Sequence, residues 1–286
     1  MLLERHYEPG DGEIIYHYCS AETFNAICTN KRIRFCDIFT MNDFMEMHWG
    51  YQKWEEVAGD LLPEVGLDFI NEIDKHIHES GGRCLPLAAC FSESGDVLSQ
   101  WRAYANDGKG FSIGFDASIL TKLAVKPLRV LYNQDEQKRE IRAFIKALHY
   151  MEDGEKNKKG AEFIEDCRML AFDLCAFKNP SFAEEKEIRM IHLLNFEPSN
   201  DSLRLVDPGG YAFGSDKDGE KIGFFMKDSS PVAFIDIDFS NNGICDSIKN
   251  VLIGPRNTSL TSAISIYLET SGIHNVNVKK SSASYR

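Results

Sequence analysis

The sequence lacks the motifs that usually mark a metal-binding or redox-active protein. Its eight cysteines stand at positions 19, 28, 36, 84, 90, 167, 175 and 245, with no CxxC pair and no histidine pair beside them, which argues against a zinc ribbon or a thioredoxin-type site. His76 and His78 are two positions apart on a predicted helix, so they do not face each other as a metal pair would. We therefore expect no bound metal, and we expect the thiols to be small core side chains in a reducing compartment.

Long apolar runs and an excess of positive charge are also missing. No segment approaches 18 apolar residues, so no membrane-spanning helix is expected, and the first 18 residues carry charges and a Pro-Gly turn where a secretion signal needs an apolar run. The expected location is the cytoplasm. The net charge of −12 and the pI of about 5.2 disfavour nonspecific binding to nucleic acid or to an anionic membrane. A protein or small-molecule partner is favoured instead.

Several enzyme signatures are absent, while the pattern of strands and helices is clear. HExxH, GxSxG, P-loop and GxGxxG motifs do not occur, so zinc hydrolases, α/β-hydrolases, P-loop NTPases and Rossmann dehydrogenases lack their evidence. Strand patterns begin near residue 13 and become dense after residue 184, and helical insertions are predicted at about 42–80 and 134–178. This irregular order predicts one α+β domain over residues 1–286.

The first stretch with candidate functional residues is Tyr16-His17-Tyr18-Cys19-Ser20. A predicted strand brings His17 and Ser20 to its carboxyl end, where a helix begins at once. A histidine on a strand is often a structural residue whose ring nitrogens are hydrogen-bonded in the core. That alternative stays open for His17.

The second stretch, residues 91–116, contains a short helix between two strands. Helical spacing places Trp101 and Tyr104 on a buried stripe. Ser99 and Arg102 lie off that stripe at i, i+3, where they can face a groove, and a guanidinium there suits a phosphate or a carboxylate.

The third stretch contains Glu185, Glu187 and Arg189, which are predicted to share one face of a strand. Two carboxylates at i, i+2 lie close enough to repel, so burial is expected to raise the pKa of one and to place an acid beside a base. The alternative is a charged edge strand that discourages aggregation.

Taken together, six short motifs resemble those of a bacterial family of unknown function over nearly the whole chain. They are His17-Tyr18-x-Ser20, Met41-Asn42-Asp43, the run from Phe91 to Asp116, Glu185 to Arg189, Ile253-Gly254-Pro255, and Ser281 with Tyr285-Arg286. Such proteins distantly resemble the ADP-ribosyltransferase fold. The resemblance implies a mixed, mainly antiparallel split sheet, NAD as the substrate, and a place in phage-defence or toxin-like operons.

In the ADP-ribosyltransferase fold an Arg or His on the first strand, a central Ser or Tyr and a Glu on a later strand hold NAD. Residue by residue, the resemblance implies that His17 holds the nicotinamide ribose and that Glu185 and Glu187 are the glutamate pair. The central element is either Ser92 or Tyr104.

These assignments imply a mechanism in which the bond between nicotinamide and ribose breaks. Glu187 would bind the ribose 2-OH and stabilise the oxocarbenium-like transition state, and Glu185 would orient or deprotonate the acceptor. Arg102 would neutralise the pyrophosphate, and Ser20 would join His17 in binding the dinucleotide. The acceptor is not identified by the sequence.

Two other functions stay as hypotheses. A non-catalytic nucleotide- or protein-binding module would show binding without turnover. A metal-dependent nuclease has only scattered acidic residues in its favour, and the negative net charge argues against it.

Overall fold

A computed structural model describes residues 5–41, 46–155, 158–240 and 247–285; Asn42, Asp43 and Arg286 of the sequence motifs lie outside these ranges. The strands are β1 (Ile14–Cys19), β2 (Arg32–Asp37), β3 (Cys84–Ser92), β4 (Phe111–Asp116), β5 (Lys126–Arg129), β6 (Glu187–Ser199), β7 (Ser202–Val206), β8 (Gly210–Ala212), β9 (Ser215–Lys217), β10 (Gly223–Lys227), β11 (Ser230–Asp238), β12 (Ile248–Ile253) and β13 (Asn277–Lys280). The helices are α1 (Ala21–Asn30), α2 (Glu46–Val65), α3 (Leu67–Gly81), α4 (Leu98–Tyr104), α5 (Ala117–Leu120), α6 (Gln134–Gly154), α7 (Ala161–Asp173) and α8 (Thr261–Thr270).

Eleven strands of the described ranges join in one sheet. The order is β10–β11–β2–β3–β1–β4–β12–β13, and β6 pairs with β3, β5 and β7. The pair β12–β13 is parallel, and the other pairings of this sheet are antiparallel. The predicted α+β class with a mixed, mainly antiparallel sheet is therefore confirmed.

The sheet forks at β3. One edge of β3 pairs with β6 from Cys84 to Ser92. The other edge pairs with β2 at Leu87 and Ala88 and with β1 at Ser92. Because the second partner of β2 is β11 and that of β1 is β4, β1 and β2 diverge from β3. The gap between them is where polar side chains gather.

The predicted helical insertions form an apolar core of their own. Helices α2, α3, α6 and α7 pack around Trp54, Ile73, Ile145 and Phe163, apart from the main core of the sheet. None of the helices in the described part of the chain combines the length and the apolar character needed to cross a bilayer.

The sequence predicts a break between the first two inserted helices near Pro63 to Gly66, and the structure has it at Gly66, between α2 and α3, with Pro63 inside α2. The alternation of Phe111, Ile113 and Phe115 with Ser112 and Gly114 predicts one buried face for β4. The structure buries Ser112 and Gly114 as well, because Tyr16 and Asn250 pack directly over Gly114.

The contact between α2 and the segment after α7 depends on a glycine. A Cβ atom at Gly50 would overlap the backbone carbonyl of Leu174, whereas a Cβ atom at Gly59 on the same helix would meet nothing within 4 Å. We expect Gly50→Ala to lower the free energy of unfolding by about 1–3 kcal/mol through overpacking. Gly59→Ala should raise it by roughly 0.5–1 kcal/mol, since alanine favours helix.

Urea denaturation of both variants measures this difference. Shifts of the same sign for Gly50→Ala and Gly59→Ala would contradict the close approach of the two segments.

Candidate functional site

A cleft of about 650 Å³ lies over the fork in the sheet, within the usual range for small-molecule sites. Strands β1, β2 and β3 form its floor, and α4, β10 and the segment around residues 178–187 form its walls. It is lined by Tyr16, His17, Tyr18, Arg34, Cys36, Thr40, Met41, Ala88, Ala89, Cys90, Phe91, Ser99, Gln100, Ala103, Tyr104, Lys178, Ser181, Phe182, Glu184, Glu185, Glu187, Phe225 and Lys227.

Lys178 joins the two glutamates at the inner wall. Its Nζ donates to Glu185 Oε2 at 2.6 Å and to Glu187 Oε2 at 3.0 Å, and all three residues are more than nine-tenths buried. Arg189, which is fully buried, donates from Nε to Glu187 Oε1 at 2.8 Å and from Nη2 to Glu187 Oε2 at 3.0 Å. Two buried carboxylates thus face two buried cations, as buried charge requires.

The chain reaches this arrangement through a turn that the sequence pattern did not predict. Glu185 ends a 3-10 helix over Pro180–Glu185, and β6 begins at Glu187, so the placement of Glu185 on the strand was wrong. Lys186 between them has a left-handed φ of 44°, which lets both carboxylates reach the same lysine. The predicted shared face of Glu187 and Arg189 is confirmed by their hydrogen bonds.

The surroundings separate the pKa values of the two glutamates. Burial acts to raise the pKa of Glu187, but the charges of Arg189 and Lys178 outweigh it and hold that pKa at about 2. For Glu185 burial dominates over the opposing charge of Lys178, so its pKa lies above the ordinary glutamate value. Glu187 is therefore ionised at almost any pH, whereas Glu185 takes up a proton at a higher pH than an ordinary glutamate does.

Tyr104 faces the cleft and contacts Glu185. Its hydroxyl donates to Glu185 Oε1 at 3.1 Å, and its side chain is 37% exposed, so its predicted place on a buried stripe was wrong. Trp101, predicted on the same stripe, is fully buried and donates from Nε1 to Asp96 Oδ1 at 2.7 Å. The helix therefore presents Tyr104 to the cleft and anchors itself through Trp101.

His17 borders the fork from the β1 side. Its Nδ1 lies 3.0 Å from the carbonyl oxygen of Cys90, and burial lowers its pKa, so the ring is neutral at pH 7. A carbonyl only accepts, hence Nδ1 carries the proton and Nε2 is left as an acceptor. Nε2 has no hydrogen-bond partner within the described ranges, which leaves it available to a ligand in the cleft.

Helix α4 is held at both ends by residues 281–285. Asp96, ahead of the helix, accepts hydrogen bonds from Ser281 Oγ and from the backbone and side chain of Ser282. Asp107, after the helix, accepts from the Tyr285 hydroxyl at 2.7 Å. The last motif of the sequence thus positions the wall that carries Tyr104.

Three of the predicted site residues do not line the cleft. Ser20 caps α1 and accepts from Thr23 N. Ser92 is buried, and its Oγ donates to the backbone carbonyl of Glu185 at 2.6 Å, so it supports the turn from behind. Arg102 is exposed on the far side of α4, with its guanidinium 5.8 Å from the Tyr285 ring. The side of that helix that lines the cleft consists of Ser99, Gln100, Ala103 and Tyr104.

Among the polar residues of the cleft that the sequence interpretation missed, four carry the most chemistry. Lys178 and Gln100 are buried, and Arg34 on β2 and Lys227 on β10 are further cations of the lining. A lysine directly after the apolar run LCAF is the one signal that pointed to a buried cation; the other three lie in ordinary amphipathic settings. Within the described ranges, no group of three or more His, Cys, Asp or Glu side chains could hold a metal ion.

The buried network gives a prediction about stability. Glu187→Gln keeps the size of the side chain but removes the carboxylate that pairs with Arg189 and that Lys178 contacts together with Glu185, so we expect the free energy of unfolding to fall by about 3–5 kcal/mol at pH 7. Glu55→Gln, the same change at an exposed position of α2, should change it by less than about 0.5 kcal/mol.

Urea denaturation at several pH values checks the cause. The loss should shrink as the pH falls from 4.5 toward 2, because protonation of Glu187 removes the same charge from the wild type. Equal stability of the two variants at pH 7 would show that the network contributes nothing.

One protein-family model matches part of this chain. Residues 100–190 match the model of a protein family of unknown function, DUF2971. The matched stretch begins on α4 and ends in β6, so it includes Gln100, Tyr104, Lys178 and both glutamates. No curated protein and no solved structure matches this chain. The predicted resemblance to a family of unknown function is therefore confirmed over part of the chain, where a DUF2971 domain is found at residues 100–190.

Proposed function

We propose that the forked sheet is an ADP-ribosyltransferase-like core whose cleft binds NAD and cleaves the bond between nicotinamide and ribose. The observation that carries this proposal is the convergence of His17, Tyr104, Glu185 and Glu187 on one cleft, although they come from segments far apart in the sequence. These are the residue types, on the first strand, a central element and a later strand, that the resemblance implies.

The geometry favours Glu185 over Glu187 as the carboxylate that acts on the substrate. Both oxygens of Glu187 are engaged by Arg189, and one of them also by Lys178. Each oxygen of Glu185 accepts one hydrogen bond, from Tyr104 or Lys178, and a carboxylate oxygen has room for another. Glu187 is then a positioning residue that holds Lys178 and Arg189.

The remaining residues supply binding. His17 Nε2 would accept a hydrogen bond from a ribose hydroxyl, and the Phe182 and Phe225 rings would contact planar groups of the dinucleotide. Arg34 and Lys227 would face the pyrophosphate, the part that the sequence interpretation assigned to Arg102.

In the proposed reaction the bond from ribose C1′ to the nicotinamide nitrogen breaks, and nicotinamide leaves as a neutral molecule with the bonding electrons. Glu185 stabilises the positive charge that develops on the ribose. Water or another acceptor forms a new bond to C1′, and the proton it loses passes to Glu185. With water, the products are ADP-ribose, nicotinamide and a proton.

One observation favours a second candidate, a nucleotide-binding module without turnover. Lys178 Nζ lies 2.6 Å from Glu185 and 3.0 Å from Glu187. A cation at this position offsets the negative charge that would stabilise an oxocarbenium-like transition state. Such a cleft would bind the dinucleotide and leave it intact.

Nicotinamide release separates the two candidates. We expect wild-type protein to release nicotinamide from NAD, and Glu185→Gln to lower the rate by about 10²- to 10⁴-fold while NAD binding persists. Chromatography of the products measures the rate, and calorimetry measures binding; Glu55→Gln is the matched control.

Each outcome decides between the candidates. NAD binding by the wild type without nicotinamide release would favour the binding module, and absence of both would overturn both candidates. Equal rates for wild type and Glu185→Gln would remove the proposed role of Glu185.

The pH dependence of the rate gives a second prediction. Glu185 must be ionised to act, and burial raises its pKa, so the rate should fall with acidification already above pH 4.5. The Tyr104 hydrogen bond favours the ionised form, so Tyr104→Phe should move this acidic limb to higher pH. Tyr150→Phe, at a tyrosine 82% exposed on α6, should leave the limb in place. If Tyr104→Phe leaves the acidic limb of the pH–rate profile in place, the assignment of that limb to Glu185 is contradicted.

A further inference from the structure

Two polar side chains on the cleft side of α4 have no hydrogen-bond partner in the described part of the chain. Ser99 Oγ is buried, and no described residue bonds to it. Gln100 is only 7% exposed, and its amide makes no hydrogen bond to any residue that the structure describes. Both residues line the cleft. Buried polar groups are nearly always hydrogen-bonded, and leaving the Ser99 hydroxyl unpaired is costly. The Gln100 amide beside it is not fully enclosed and borders the open space of the cleft, so the two side chains together point to a ligand there.

The position of the pair relates it to the proposed reaction centre. Gln100 lies one helical turn before Tyr104, on the same side of α4, at a rise of about 6 Å. The Tyr104 hydroxyl is 3.1 Å from Glu185 Oε1. A group bound by Gln100 would therefore lie beside the atoms on which Glu185 acts.

The chemistry of the two side chains selects the group. Gln100 offers one acceptor and two donors in a plane, and Ser99 adds a hydroxyl that can donate or accept. A primary carboxamide presents the complementary set, one acceptor and one donor pair in a plane. A carboxylate has acceptors only, so it would leave the Gln100 carbonyl unpaired and facing a negative charge.

We propose that Ser99 and Gln100 form a subsite for a primary carboxamide. The proposal deepens the proposed function, on which it rests for the choice of ligand. Within that function the carboxamide belongs either to nicotinamide or to an asparagine side chain of a polypeptide acceptor, and both present the same hydrogen-bonding pattern.

Equilibrium binding of small probes tests the subsite without any turnover. The probes are nicotinamide and N-acetylasparagine, each compared with its acid, nicotinic acid and N-acetylaspartate, by ligand-observed NMR titration. We expect at least one amide to bind wild type on the order of 10- to 100-fold more tightly than its acid. The probe that shows this preference identifies the source of the amide.

Variants assign the preference to the subsite. Gln100→Leu, which keeps the side-chain volume close to that of glutamine, should abolish the preference for the amide, and Gln100→Glu should lower the affinity for it. Gln52→Leu, the same change at an exposed position of α2, should leave both unchanged. Circular dichroism establishes that each variant is folded.

The outcomes distinguish this inference from the proposed function. Equal affinity for amide and acid, no binding of either amide, or a preference that survives Gln100→Leu overturns the subsite, whatever the protein does to NAD. An amide preference that depends on Gln100, in a protein that does not cleave NAD, supports the subsite and counts against the proposed catalysis.

Discussion

The cleft depends on one interaction, the contact of Lys178 with Glu185 and Glu187. Two carboxylates buried side by side would repel each other, and neither could stay charged without a cation. Lys178 and Arg189 supply that charge from the two sides. The same contact joins a 3-10 helix to the first residue of β6, so the electrostatic balance and the shape of the inner wall are determined together.

The fork in the sheet gives this charged wall an opposite side. If β1 and β2 both paired with β3 along its length, the backbone would fill the space; their divergence leaves a cleft instead. At this point His17 Nδ1 donates a hydrogen bond to the backbone carbonyl of Cys90. A side chain therefore satisfies the carbonyl at the place where the strands diverge. The cleft is thus a consequence of strand pairing.

The two proposed functions, an enzyme and a binding module, would use the buried charges of Glu185, Glu187 and Lys178 differently. A carboxylate such as Glu185, whose oxygens can each accept a further hydrogen bond, would suit the stabilisation of a ribosyl cation, whereas the lysine between the two carboxylates would oppose it. The Gln100 amide, which has no hydrogen-bond partner among the described residues, and the acceptor nitrogen of His17 would serve either proposed function, because both require recognition of a ligand. These polar groups therefore support the proposed binding of a ligand more directly than they support one particular reaction.

By itself the sequence determined the elements and several residues of the site. The order of strand and helix patterns predicted the α+β class, and the charged run from Glu185 to Arg189 marked an acidic pair that burial would affect, because such patterns act over a few neighbouring residues. Only the tertiary structure brought Lys178 to that pair, turned Tyr104 into the cleft and Arg102 away from it. These outcomes depend on the left-handed turn at Lys186 and on contacts of α4 with residues 281–285, and no local pattern encodes contacts between segments so distant in the chain.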